Sequence, residues 1–155
     1  MMELEQLYQQ VIMDHARTRH GAGELADFDG ESFQVNPTCG DEVRLRVKLA
    51  YDHEPRVAAL GWVGQGCSIS QASLSLMHDL TAGHTLAEVE DLGELFREMM
   101  HSRGDFPDEK ADALEDASAL VGVAKYPARV KCALLGWMAL RGAIAQALAQ
   151  PTEES

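Results

Sequence analysis

The sequence predicts an α+β fold in which a small antiparallel sheet of about three strands packs against several α-helices. Three observations predict it. The chain opens with a helical period, continues through two runs of strand-like alternation joined by a turn, and is helical in character from Ser68 onward. Strands that follow one another through a tight turn pair antiparallel, and a block of helices placed after them has a sheet face to cover.

Each element has its own signal. Leu4, Leu7, Tyr8, Val11 and Ile12 recur at helical spacing over residues 3–16, and the pattern fails before His20-Gly21-Ala22-Gly23. After a loop through Gly30, Ser32 to Val35 reads as a strand. Val43, Leu45, Val47 and Leu49 then alternate with Arg44, Arg46 and Lys48, so one face of that strand should be wet. Val57 to Val63 is its partner, reached through the turn Tyr51-Asp52-His53-Glu54-Pro55. From Ser68 a helix runs toward Gly83, a residue suited to a helix C-terminus. Thr85 and Glu88 form a capping box for a helix ending near Ser102, and Pro107-Asp108 opens another that should continue to about Ala124. Pro127 opens the last helix, with Val130, Leu134, Trp137, Ile144 and Leu148 as its apolar stripe. Without an internal repeat, low-complexity tract or linker, residues 1–155 read as one domain.

A chain of 155 residues with 46% hydrophobic side chains can bury a core without disulfide or metal staples, so any metal it binds should be functional. Thirteen basic against 25 acidic residues give a formal charge of -12, which excludes a general affinity for nucleic acid or anionic lipid. No continuous apolar run suggests a membrane span, and the acidic, periodic N-terminus does not resemble a signal peptide, so a cytoplasmic location is expected. Eleven of the acidic residues fall between residues 85 and 118, against Arg97, Arg103 and Lys110. That segment is either a solvated helical face or a docking surface for a basic partner.

Cys39, Cys67 and Cys132 are an odd number in a chain with no export signal, which argues against a disulfide framework and leaves metal or thiol chemistry. Each lies near an element boundary. Cys39 sits in the turn of NPTCGDE, where Gly40 leaves it and Asp41 free to face a common point. Cys67 follows Gly64-Gln65-Gly66 at the start of a helix, where unsatisfied amides and the helix dipole favour thiolate. Cys132 lies early in the last helix, with Arg129 and Lys131 nearby to favour the anion. Three thiolates and one carboxylate make the four ligands that tetrahedral zinc requires, with the harder carboxylate making the site labile. Separations of 28 and 65 residues match no local zinc motif, so spacing alone leaves buried packing roles open for Cys67 and Cys132. No dinucleotide loop, nucleophile elbow or H-E-x-x-H motif occurs. The six histidines, His15, His20, His53, His78, His84 and His101, read as polar-face or capping residues.

Taken in order, NPTCGDE, GQGCSISQASLSLM and YPARVKCALLGW resemble the U-type iron–sulfur cluster assembly proteins from Glu3 to about Gln150. The resemblance implies a SufE/NifU-like fold. It embraces two branches: IscU, a scaffold on which clusters are built, and SufU, a zinc-containing sulfurtransferase. Lys131 stands where IscU-like members carry a histidine, and the acidic helical stretch at 85–118 looks like an insert characteristic of SufU. Both departures favour SufU, which implies zinc held by Cys39, Asp41, Cys67 and Cys132. The partner so implied is a SufS-type PLP-dependent cysteine desulfurase, a histidine of which displaces Cys39 from zinc so that the thiolate attacks the persulfide. Sulfur would then pass to a downstream SufBCD-type scaffold. Arg129 is similar to an arginine found near the site in this family and is expected to help receive the desulfurase, or else to serve as a surface helix cap. Two alternatives remain open at this point: an IscU-like scaffold for a [2Fe-2S] cluster, with iron in place of zinc, and a non-catalytic structural zinc module.

Overall fold

The computed structural model describes residues 4–38 and 40–149. Helix α1 (Leu4–Thr18) leads into a three-stranded antiparallel sheet of β1 (Gly30–Asn36), β2 (Asp41–Tyr51) and β3 (Pro55–Gln65), in the spatial order β1-β2-β3. There follow α2 (Ser68–Thr81), α3 (Leu86–Met100), the short α4 (Asp108–Ala113), a 3₁₀ segment (Glu115–Lys125) and the long α5 (Pro127–Ala149). The α+β architecture read from the sequence is therefore the one observed.

Alternation on β2 decides which face is covered. Asp41, Val43, Leu45, Val47 and Leu49 are buried under the helices, while Arg44 is exposed and Arg46 and Lys48 are half-buried on the other side. That second face is only partly wet. Arg46 lies 4.3 Å from the centre of the Phe28 ring, pairs with Glu31 at 2.7 Å and donates to the Leu25 carbonyl, so the loop before β1 folds across it.

Helix α5 packs along the inner face at very short range because small residues line the contact. A Cβ on Gly30 of β1 would fall 2.0 Å from the Ala143 carbonyl, and one on Gly136 would fall 2.5 Å from Leu74 of α2. The buried residues of α5 are Cys132, Ala133, Leu135, Gly136, Trp137, Ala139, Leu140 and Ala143, four of them glycine or alanine. This corrects the expected stripe. Val130, Leu134 and Ile144 are only partly buried and Leu148 is exposed; Leu134, Ile144 and Leu148 line a groove against α3 with Trp137, which stacks on Phe96 at 5.2 Å.

Two further expectations need correction. The helix expected from Pro107 to Ala124 breaks at Glu115, whose φ of 51° no α-helix accommodates. From Leu114 onward, Leu114, Ala117, Leu120 and Val123 are buried at intervals of three, the period of 3₁₀ turns and not of an α-helix. In addition, α5 does have the length and composition of a membrane span, with a mean hydropathy of 1.4. Half of its apolar stretch is buried against the sheet and α2, as in the core helix of a globular protein.

Candidate metal centre

The centre is built where three elements begin or pass. Asn36 and Asp41 are paired across the β1–β2 turn, which the Gly40 amide closes by donating to the Asn36 carbonyl at 2.8 Å. Gly40 has φ of 76°, a conformation that its missing side chain permits. Asp41 thereby enters β2 with its side chain on the inner face, 1% exposed.

A buried carboxylate needs partners, and α2 supplies them. Cys67 caps this helix with extended backbone, its amide donates to Asp41 Oδ1 at 2.9 Å, and its Sγ lies 3.7 Å from Asp41 Oδ2. Gly66 makes the approach feasible, since a Cβ there would stand 2.3 Å from Asp41 Oδ1. Cys132, 4% exposed, reaches the same place from α5. Its Sγ lies 3.7 Å from the Ala128 carbonyl and 3.9 Å from Nδ2 of the buried Asn36.

The ligand atoms of Asp41, Cys67 and Cys132 all lie within 4.8 Å of one another. In tetrahedral zinc coordination the bond lengths of sulfur and oxygen ligands put neighbouring donors about 3.5 Å apart, so the 3.7 Å between Cys67 Sγ and Asp41 Oδ2 is already close to one tetrahedral edge. Two sulfurs and one carboxylate oxygen thus suit zinc, and a fourth donor would complete the set. Cys39 lies outside the described residues. Lys131, next to Cys132, is exposed and stands in the place where the scaffold branch was expected to carry a histidine. Arg129 is exposed in the first turn of α5, on the same helix as Cys132.

Two supporting residues escaped the sequence reading. Asn36 both points its amide at Cys132 and accepts from the Thr38 amide at 3.3 Å, holding the turn. Ser70 closes the first turn of α2 onto the Cys67 carbonyl at 3.0 Å. The signal for Asn36 was present in the Asn-Pro start of its turn motif.

The profile of the family described as NifU-like N terminal domain matches residues 7–150. The chain belongs to that family. Among the relatives of this NifU-like chain, a zinc-dependent sulfurtransferase SufU of Bacillus subtilis is 41% identical over 143 residues, covering 92% of each chain. An iron–sulfur cluster assembly scaffold protein IscU of Streptococcus pyogenes is 40% identical over 146 residues, covering 93% of this chain and 86% of that one. The crystal structure of an iron–sulfur cluster assembly scaffold protein for the SUF system, from Fervidobacterium islandicum, superposes with a TM-score of 0.72 at 28% identity, covering 87% of this chain and 94% of that one. The resemblance to U-type assembly proteins read from the three cysteine motifs therefore holds, and the NifU-like chain is a SufU-type iron–sulfur assembly protein.

Proposed function

We propose that this protein is a zinc-dependent sulfurtransferase, which accepts persulfide sulfur from a SufS-type, PLP-dependent cysteine desulfurase and passes it to a SufBCD-type assembly scaffold. The convergence of Asp41, Cys67 and Cys132 within 4.8 Å carries the reading, and the naming of the Bacillus subtilis relative agrees with it. Cys39 is the fourth ligand and the sulfur acceptor. Bound zinc keeps these thiols deprotonated and shields them from oxidation until the partner arrives.

The transfer balances without an external oxidant. The Cys39 thiolate attacks the outer sulfur of the partner's persulfide, a new S–S bond forms on Cys39, the old S–S bond breaks, and the partner's cysteine leaves as thiolate. Asp41 is the ligand that makes the site labile, since a hard carboxylate binds zinc less tenaciously than sulfur. Cys67 and Cys132 remain as anchors on α2 and α5. Arg129, exposed in the first turn of α5, is a contact for the desulfurase, and the acidic segment 85–118 is an insert of the SufU branch.

The scaffold reading has one specific observation in its favour, the name of the Streptococcus pyogenes relative. Metal content and turnover decide between them. The protein as isolated is expected to carry zinc at the cysteine centre and to accelerate the desulfurase, and Cys39→Ala is expected to keep desulfurase binding while losing sulfur transfer. Iron and sulfide in place of zinc, with a stable cluster absorption, would select the scaffold. Undiminished transfer by Cys39→Ala would remove that residue from its role.

A further inference from the structure

A second group of metal-ligating side chains lies at the opposite end of α2. His15 near the end of α1, His20 in the following turn and Asp79 near the end of α2 offer ligand atoms that all lie within 4.8 Å of one another. Asp79 is twelve residues along the same helix axis from Cys67, or about 18 Å of helix rise, so this group is separate from the cysteine centre.

The arrangement is held in place by its surroundings. Ser75 of α2 bonds His15 Nδ1 through its hydroxyl at 2.7 Å and accepts the His20 backbone amide at 2.8 Å, fixing both residues with one side chain. With Nδ1 engaged by Ser75, His15 is left with Nε2 as its coordinating atom, the usual division of labour in a ligating imidazole. His20 Nδ1 meets Asp79 Oδ2 at 2.6 Å, a hydrogen bond that a shared ion would replace, and His78 reaches the other carboxylate oxygen at 3.1 Å. The chain reversal that brings His20 back over His15, ring centres 4.9 Å apart, runs through Arg19 at φ 50° and Gly21 at φ 82°. Gly21 is also required by space, because a Cβ there would lie 2.4 Å from the His78 ring. His15 and Asp79 share a small depression with Glu115 and Asp116, about 50 Å³ and large enough for a water ligand.

We infer that His15, His20 and Asp79 form a second, surface metal site that takes one borderline divalent transition ion such as Zn²⁺, Co²⁺ or Ni²⁺. Two imidazoles and a carboxylate suit these ions and not Mg²⁺ or Ca²⁺, which prefer oxygen ligands. His20 and Asp79 side chains are 45% and 43% exposed, so the ion can enter from solvent without unfolding the chain.

Cobalt distinguishes the two sites in the intact protein. Reduced protein is dialysed against Co²⁺, bound metal is counted per chain, and the thiolate-to-cobalt charge-transfer band reports the cysteine centre alone. His20→Ala and Asp79→Asn are each expected to bind one ion fewer than the unmodified chain while retaining that band and an unchanged far-ultraviolet circular dichroism spectrum. Equal cobalt uptake by the unmodified chain and both variants would overturn the inference. Failure of the cysteine reading would appear differently, as a missing charge-transfer band in the unmodified chain.

Discussion

Gly66 shows how much of the cysteine centre depends on what is not there. The Asp41 carboxylate occupies the space that a Cβ at position 66 would need, so Gly66→Ala forces either Asp41 or the start of α2 aside. The expected result is at least a tenfold loss of zinc affinity in a chelator competition, about 1.4 kcal/mol, with the helical content retained. Asp41 itself is buried and accepts the Cys67 amide, so Asp41→Ala both removes a proposed ligand and orphans a donor. It should lose zinc in the same assay and lower the melting temperature as well. At this scale the sequence was informative wherever a residue's neighbours constrained it. Asp41, Cys67 and Cys132 stood out because each lay at an element boundary beside glycine or cationic residues. His15, His20 and Asp79 did not, because helical capping explains isolated histidines equally well and their meeting depends on how α1 and α2 cross.

The elements divide into those whose ends are written in side chains and those shaped by packing. Helix α3 belongs to the first kind: Thr85 accepts the Glu88 amide at 3.1 Å, and Glu88 accepts the Thr85 amide at 2.9 Å, a complete capping box. Thr85→Ala should cost about 1 kcal/mol in a denaturant titration. The Thr85 backbone amide, with His84 adding to it, holds the Glu88 carboxyl below the usual glutamate value. Its stabilising effect is therefore fully present above that usual value and disappears as pH falls through the lowered one. The melting-temperature gap between the unmodified chain and Glu88→Ala should close on acidification through that range. The 3₁₀ segment belongs to the second kind. Its helix-like composition predicted one continuous helix, but the three-residue spacing of Leu114, Ala117, Leu120 and Val123 against the core selects the tighter winding. In α5, similarly, the large apolar residues drew the eye to the wrong face. Glycine and alanine make the closest contact there, because the backbone of β1 comes near enough to exclude anything larger.

For the molecule as a whole, element order and sheet pairing were legible because alternation and turn residues leave few ways to connect three short strands. The approach distance of α5 was not, since it depends on what faces each glycine across the core. Gly136→Ala tests that distance. The added methyl meets Leu74 at 2.5 Å, and the expected loss is about 1–3 kcal/mol by denaturant titration.

Helix α2 is enclosed along nearly its whole length, from Ser70 through Met77 and again at Leu80 and Thr81, and two of its hydroxyls are tied to other parts of the chain. Ser73 donates to the Ala133 carbonyl at 2.6 Å and Ser75 engages His15 and His20, so its polar groups lock it to α5 and α1. No partial opening can expose this mast while its neighbours stay docked. Its amides should consequently exchange with deuterium at the rate of global unfolding, which makes them an internal clock against which loosening at either end can be timed.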